Sequence, residues 1–234
     1  MKFLVFMSDN RPLSTDIITA TYNSLVAAIN YEYCKKYGYD FIYYQPFLNK
    51  ELIELHNCID PNSGKKRHAS WSKLLSTSKA LELDYDYVVY IDSDCIFKDF
   101  SRSIEEYMKN ITEPIIFLND RPWGTTYPCA GFFILQVNDY TRQFIKTWYN
   151  FNIPNHNTHH AYEQNVLYDM HKLYTIKIID DMMFCEKKDQ YLRHIGSHAN
   201  NLRIVYFKKF IQDNTIDYLA NIQQIQVIKF DTNT

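Results

Sequence analysis

The first 44 residues alternate short apolar runs with a longer helical pattern, and this alternation limits the possible folds most strongly. "KFLVFM" and "YDFIYY" each have the length and apolar content of a buried strand. Between them, Thr15 or Asp16 is placed to cap a helix that runs to about Tyr37, and Gly38 stands where a helix C-cap is expected. A strand–helix–strand unit of this kind predicts a parallel sheet with helices packed against it.

The same alternation continues through the rest of the chain. A helix over about residues 68–83 leads into the apolar strand "YVVYI", and further strands are predicted at "PIIFL", "FFILQV" and "YTIKII". Helices are predicted at about 103–109, at about 139–149 and over "AYEQNVLYDMHK", with a mainly helical tail at about 200–234. The pattern predicts a single α/β domain over residues 1–234, with a mixed, mostly parallel central sheet flanked by helices.

Composition and charge narrow the classes of function. Lys plus Arg number 25 and Asp plus Glu number 27, so the formal net charge is −2 and no surface for nucleic acid is expected. The five cysteines form no C-x-x-C pair, which argues against a disulfide scaffold or a thiolate zinc site and for a reducing compartment. No run has the length of a signal peptide or a transmembrane segment. We therefore expect a cytoplasmic protein, in the host cytoplasm if the chain is viral.

Two aspartates, Asp92 and Asp94, follow the strand "YVVYI" directly. In open α/β sheets, ligands bind beyond the carboxyl ends of the strands. Residues i and i+2 of an extended segment face the same side, so the two carboxylates can converge on one point, where they repel each other unless a cation neutralises them. Hard oxygen ligands favour Mg²⁺ or Mn²⁺. The alternative is that both side chains only cap the following turn.

One metal-dependent interpretation is phosphatase chemistry of the haloacid-dehalogenase type. In that family, an hhhh-D-x-D-x-[TV] motif supplies a nucleophilic aspartate and its acid/base partner, and Asp180 and Asp181 would imitate the later acidic motif. However, Ile96 occupies the Thr/Val position, and at least two predicted strands precede Asp92, whereas the family places its nucleophile on the first strand. The phosphatase interpretation therefore stays an alternative.

Four segments, in the same order, resemble glycosyltransferase family 34, the galactosyl/mannosyl/xylosyl-transferase group. "INYEYCKKYGYDFIYY" is similar to its N-x-x-Y-x-x-x-x-G-Y segment, and "WSKLLSTSKALELDYDYVVYIDSDCIFKD" to its W-x-K helix and D-S-D strand. "CAGFFILQVND" resembles its N-x-G-x-F-L strand, and "YEQNVLYDM" its D-Q-x-x-L helix. The resemblance implies a type A glycosyltransferase (Rossmann-like) fold of the short intracellular bacterial or giant-virus kind. Its donor-binding part would lie at about 1–100 and its acceptor side at about 101–200.

The resemblance also implies which residues bind the metal and the donor. In this family a histidine near the C-terminus, followed shortly by glycine, completes the metal site, and "YLRHIGSHANNLR" offers His194, with His198 as a rival. Together with Asp92 and Asp94, it would hold Mn²⁺ or Mg²⁺ at the diphosphate of the donor. Lys73, in the W-x-K match, is a candidate contact to the donor sugar or diphosphate, although a lysine on a helix face would give the same pattern.

Further residues are implied at the donor site. Either Glu163 or Gln164 is expected beside the anomeric carbon, where it would stabilise developing positive charge, and the two are weighted equally. Ser93 and Gly131 are further candidates for donor contacts, although Cys129 replaces the asparagine of the family's N-x-G. The base and ribose are expected to meet the residues that follow the first strand, namely Ser8, Asp9, Asn10 and Arg11.

On the acceptor side, Trp123 and Tyr127 of "DRPWGTTYP" are candidates to stack on sugar rings. The expected reaction is transfer of a sugar, with retention, from a nucleoside-diphosphate sugar such as a UDP-sugar to a glycan hydroxyl. A leaving phosphate oxygen would take the acceptor's proton. The non-enzymatic alternative is a sugar-nucleotide- or glycan-binding module on the same scaffold.

Overall fold

Strands and helices alternate along the chain. The computed structural model describes residues 1–47, 58–60, 62–120, 127–151, 161–181, 190–196 and 199–232. The strands are β1 (Phe3–Ser8), β2 (Asp40–Phe47), β3 (Cys58–Ile59), β4 (Lys66–Arg67), β5 (Tyr87–Ile91), β6 (Cys95–Phe97), β7 (Ile115–Asn119), β8 (Pro128–Gln136), β9 (Ile176–Ile179), β10 (Leu192–His194) and β11 (Gln226–Asp231). The helices are α1 (Tyr22–Tyr37), α2 (Ser72–Ala80), α3 (Ile104–Tyr107), α4 (Asp139–Asn150), α5 (Glu163–Met170), α6 (Asn200–Asp213) and α7 (Tyr218–Gln224), with 3-10 turns at Ala69–Trp71 and His171–Leu173.

Seven of these strands form the central sheet, in the order β11-β2-β1-β5-β8-β7-β9. β1 pairs in parallel with β2 and β5, β11 with β2, and β7 with β9. β8 runs antiparallel to both of its neighbours. The prediction of a mixed, mostly parallel sheet flanked by helices is therefore confirmed.

Each face of the sheet buries its own hydrophobic cluster. Val5 and Met7 of β1 pack into the cluster that contains α1, while Leu4 and Phe6 pack into the cluster that contains α2 and α4. A strand that is covered on both faces buries every side chain, which is why "FLVFM" is continuously apolar instead of alternating with polar residues.

The first helix begins later than the sequence predicts. Its N-cap is Thr21, not Thr15 or Asp16. Asp16 instead accepts hydrogen bonds from the Ile18 N–H at 2.9 Å and from the Thr19 hydroxyl at 2.8 Å, and so closes a local turn. Asp side chains offer the backbone this alternative to a helix. The predicted C-cap is confirmed, because Gly38 has a φ of 71°, in the left-handed region that favours glycine.

The C-terminal segment contains a strand that the sequence does not predict. α6 and α7 are helical as expected, but the chain then forms β11, which pairs with β2 at the edge of the central sheet. Five of the six side chains of this edge strand, "QVIKFD", are exposed or half-buried, and only Phe230 is buried, so its apolar pattern is weak. The helix predicted at 68–83 is also shorter, consisting of a 3-10 turn and then α2. Within the described ranges, no helix is both long enough and apolar enough to cross a bilayer.

Candidate functional site

A cleft of about 720 Å³ opens where β1 and β5 end and β8 begins. β1 and β5 are parallel neighbours, so the residues that follow them, Asp9 and Asp92, reach the same edge of the sheet. β8 is antiparallel to β5, and the Asp92 N–H donates to the Gly131 carbonyl at 2.9 Å. Ligands of open α/β sheets bind at this edge.

The predicted metal ligands Asp92, Asp94 and His194 come together in this cleft. One ligand atom from each residue lies within 4.8 Å of the others. His194 reaches the aspartates because β10 pairs antiparallel with β6, which sets His194 opposite Cys95. The Ile195 N–H also donates to the Asp94 carbonyl at 3.0 Å. The register of β10 on β6, and not closeness in sequence, therefore brings His194 to the two aspartates.

A buried asparagine fixes β6, the strand that follows the two aspartates. Asn30 of α1 donates to the Cys95 carbonyl and accepts from the Phe97 N–H, each at 3.0 Å. These bonds satisfy backbone groups that a two-stranded sheet leaves unpaired on its other side. Helix α1 therefore helps to hold in place the segment that follows the candidate metal ligands Asp92 and Asp94.

Two glycines leave room for the imidazole of His194. A Cβ atom on Gly131 would lie 3.0 Å from Cε1 of His194 and 3.2 Å from Oδ2 of Asp92. A Cβ atom on Gly196 would lie 3.0 Å from Nε2 of the same imidazole. Two carboxylates and one imidazole are suitable ligands for a divalent ion such as Mn²⁺ or Mg²⁺. The residues present fit the predicted metal.

Positive groups surround Asp94. Its Oδ1 atom lies 2.7 Å from Nε2 of His194, and its Oδ2 atom lies 3.3 Å from Nη2 of Arg203. Burial raises the pKa of Asp94, but the charges of His194 and Arg203 outweigh burial and lower that pKa to about 2. For His194 the effects are opposite in sign. Burial lowers its pKa, but the carboxylate of Asp94 outweighs burial and raises that pKa above its usual value.

Lys73 is buried between two carboxylates instead of on an exposed helix face. Its Nζ atom lies 3.0 Å from Oδ1 of Asp92 and 3.0 Å from Oε1 of Glu163, and it donates to the Ala130 carbonyl at 3.1 Å. Burial lowers the pKa of Lys73, but the two carboxylates outweigh burial and raise it above its ordinary value. The ammonium therefore stays charged and joins Asp92 to Glu163.

The two candidates at the start of α5, Glu163 and Gln164, have different surroundings. Gln164 donates to the Pro128 carbonyl and accepts from the Ala130 N–H, each at 2.6 Å, so both ends of its amide hold the backbone of β8. Glu163 contacts side chains instead, since it accepts from the hydroxyl of Ser70 and pairs with Lys73. Both residues line the cleft, and of the two it is Glu163 that places a carboxylate there.

The predicted donor-binding residues at the end of β1 and directly after it also line the cleft. Arg11 donates from Nε and from its backbone N–H to Oδ1 of Asp9, each at 2.9 Å, and from Nη2 to the hydroxyl of Ser93 at 3.3 Å. The hydroxyl of Ser8 lies 2.7 Å from that of Ser76. The carbonyl of Asn10 accepts from Gln45 at 2.9 Å. These residues form the wall of the cleft on the β1 side.

Two residues that the sequence did not single out lie beside this wall: Tyr22, which lines the cleft, and Arg203, which packs on Tyr22. The guanidinium groups of Arg11 and Arg203 lie over the ring of Tyr22, at 4.1 and 4.8 Å from its centroid. Arg203 also donates to the carbonyls of Ile195 and Gly196, just after His194. Tyr22 is one of 20 tyrosines, and Arg203 lies nine residues beyond His194 on a new helix, so neither stood out in the sequence.

On the opposite side, the ring of His68 stacks on that of Tyr162, with centroids 3.9 Å apart and an interplanar angle of 4°. Tyr162 has a φ of 51°, a strained backbone for a non-glycine residue, directly before Glu163. The predicted acceptor contact Tyr127 does not line the cleft and packs on Tyr168, which does, at 4.9 Å. Trp123 and the rival ligand His198 lie outside the described residues.

Comparison with solved structures identifies the fold. The chain matches a glycosyltransferase involved in the glycosylation of the major capsid of PBCV-1, with a TM-score of 0.64, 15% identity, and coverage of 89% of this chain and 100% of that one. It also matches the glycosyltransferase GlyE of Streptococcus pneumoniae TIGR4, with a TM-score of 0.53 and 12% identity over 95% of this chain, and it spans 62% of GlyE. No family model and no curated protein sequence matches the chain. The chain has the fold of these glycosyltransferases, which confirms the predicted fold class.

Proposed function

We propose that this protein is a metal-dependent glycosyltransferase that moves a sugar from a UDP-sugar, or a related nucleoside-diphosphate sugar, to a glycan hydroxyl with retention. The observation that carries the proposal is the convergence of Asp92, Asp94 and His194 within 4.8 Å at the strand-end cleft of this fold. The two solved structures compared above are glycosyltransferases, and the cleft is where an α/β sheet binds its ligand. The resemblance to family 34 stays a prediction.

The charge of the cleft supports a need for a divalent ion. Among the described residues that line it, five are Asp or Glu and two are Lys or Arg. Such a surface repels the diphosphate of a nucleotide sugar unless a cation reverses the local charge. An ion held by Asp92, Asp94 and His194 would supply Lewis-acid stabilisation of the departing diphosphate.

The protein side chains position the donor. Arg11 and Ser93 stand beside the aspartates, where they can donate to phosphate oxygens, and Ser8, Asp9 and Asn10 form the wall that we assign to the nucleoside. Gly131 has no side chain, so the backbone of β8 lies close to the proposed metal ligands Asp92 and His194. The wall that includes Tyr168, against which Tyr127 packs, is assigned to the acceptor.

The reaction proceeds with Glu163 near the anomeric carbon. The bond from the anomeric carbon to the diphosphate oxygen breaks, the acceptor oxygen bonds to the same face of that carbon, and the departing phosphate oxygen takes the acceptor's proton. The carboxylate of Glu163 stabilises the positive charge that develops at the anomeric carbon. Gln164 instead keeps β8 in place, since both ends of its amide are bonded to the backbone.

The phosphatase alternative has less support from the same geometry. Its acid/base residue would be Asp94, which here is held by His194 and Arg203. The later acidic motif would be Asp180 and Asp181, but Asp180 accepts from Asn119 at 3.0 Å, and Asp181 accepts from Tyr107 at 3.0 Å. Neither lines the cleft.

The experiment that tests the proposal is release of nucleoside diphosphate from a panel of UDP-, GDP- and ADP-sugars with Mn²⁺. We expect turnover by the wild-type protein, loss of turnover in Asp94→Asn, and unchanged turnover in Asp84→Asn, a matched control whose side chain is exposed. Hydrolysis of a generic phosphomonoester with a trapped aspartyl-phosphate would support the phosphatase. Nucleotide-sugar binding without turnover, unaffected by Asp94→Asn, would support a binding module.

A further inference from the structure

The three hydrogen-bond donors of the Lys73 ammonium are matched by three acceptors of the protein. A protonated lysine carries three N–H groups and no acceptor. Its Nζ atom lies 3.0 Å from Oδ1 of Asp92, 3.0 Å from Oε1 of Glu163 and 3.1 Å from the Ala130 carbonyl. A donor sugar or diphosphate could bind this ammonium only by displacing one of these partners.

Both carboxylates are oriented by this contact. Oδ1 of Asp92 also accepts from the Tyr90 hydroxyl at 2.5 Å, so two donors hold that oxygen. The other oxygen, Oδ2, faces the side of Gly131, where a Cβ atom would touch both Oδ2 and His194. Lys73 and Tyr90 together therefore hold one oxygen of Asp92 and turn the other towards the candidate metal ligands.

Glu163 is held in the same way. Its Oε1 atom contacts Lys73, and its Oε2 atom accepts from the hydroxyl of Ser70. Lys73 is 4% exposed and Glu163 is 4% exposed, so water does little to screen the pair. Removing one partner of a buried ion pair leaves an uncompensated charge, which is strongly destabilising. The position of Glu163 relative to the metal ligand Asp92 therefore depends on one shared ammonium.

We propose that Lys73 is a positioning residue that fixes Glu163 relative to Asp92, and that it does not contact the donor. Its role in the reaction rests on the proposed function, because Glu163 and the metal must approach the same anomeric carbon. The proposal replaces the role of donor contact that the sequence suggests for Lys73. It also explains why a lysine is buried at the end of a cleft that is otherwise lined mainly by acidic charged groups.

The contact is tested by a double-mutant cycle of Lys73→Met and Glu163→Gln. Urea unfolding is measured with EDTA and without nucleotide, so the result does not depend on turnover. We expect each single substitution to raise the unfolding equilibrium constant by some factor. The factor for the double variant should differ from the product of the two single factors by about tenfold or more, as for contacting residues. Lys79→Met removes a cation from the same helix and should show no coupling to Glu163→Gln. Independent effects of Lys73→Met and Glu163→Gln would overturn the proposal.

Steady-state kinetics with Mn²⁺ and a nucleotide sugar that the wild type consumes distinguish positioning from donor binding. A positioning lysine predicts that Lys73→Met lowers kcat by at least about tenfold while KM for the donor changes by less than about threefold. A donor-binding lysine predicts a rise in KM of tenfold or more, which would overturn the proposal. If the wild type consumes no nucleotide sugar, the proposed function fails, and the unfolding cycle still decides whether Lys73 is coupled to Glu163.

Discussion

The substitution Gly131→Ala tests the proposed metal site through a single added methyl group. Gly131 lies in β8 with no positive φ, so alanine is compatible with its backbone. The new Cβ atom would stand 3.0 Å from Cε1 of His194 and 3.2 Å from Oδ2 of Asp92. The substitution therefore pushes on two of the three candidate ligands and removes neither of them.

The expected magnitude follows from these distances. Carbon atoms in van der Waals contact lie about 3.5–4.0 Å apart, so the imidazole must move by about 0.5 Å. Metal–ligand distances in working sites hold to within about 0.2 Å. We expect Mn²⁺ affinity to fall at least about tenfold, the lower end of the loss that follows when the support of a ligand is removed. Overpacking should lower the free energy of unfolding by about 1–3 kcal/mol.

The assay is titration of the metal-free protein with Mn²⁺, in which the electron paramagnetic resonance signal of free Mn²⁺ gives the affinity. Gly38→Ala is the matched control, because Gly38 has a φ of 71° and no atom within 4 Å of an added Cβ. That change should cost about 1–2 kcal/mol of stability and leave Mn²⁺ affinity unchanged. If Gly131→Ala binds Mn²⁺ as tightly as the wild type, the assignment of Asp92 and His194 as ligands is wrong.

Three further outcomes are expected. Asn30→Leu should lower the free energy of unfolding by about 2–4 kcal/mol in urea, because the Cys95 carbonyl and the Phe97 N–H lose their partner inside the protein; a loss below about 0.5 kcal/mol would contradict this. Glu163→Gln should lower kcat at least about 100-fold, a loss of transition-state stabilisation, whereas Gln164→Leu should mainly lower the urea midpoint; the reverse pattern would exchange their roles. EDTA should stop turnover, and Mn²⁺ at about 100 times its Kd should raise the free energy of unfolding by about 2.7 kcal/mol; turnover in EDTA would refute metal dependence.

The central strands were predictable because their local pattern agrees with their final surroundings. β1 and β5 are continuously apolar since both of their faces are buried, and Gly38 ends α1 with the positive φ that its sequence position suggests. Asp92 and Asp94 could be assigned to one site because a strand end determines where their side chains emerge.

The remaining features depend on contacts between distant segments. β10 has three residues and exists through its pairing with β6, so no local pattern reveals that His194 faces Cys95. Arg203 reaches Asp94 because α6 packs against α1, a tertiary arrangement that the sequence of either helix does not show. The sequence predicts Asp16 as a helix cap, but its side chain closes a local turn instead. A helix cap and this turn both use hydrogen bonds from backbone N–H groups to an Asp carboxylate, so the local sequence does not distinguish them.

The most direct test of the central claim is an anomalous difference map from crystals grown with Mn²⁺ and UDP. We predict one manganese peak in contact with Asp92, Asp94 and His194, and the diphosphate in the same cleft. Manganese and nucleotide bound together at another place, with no peak at these three residues, would contradict the proposed donor site.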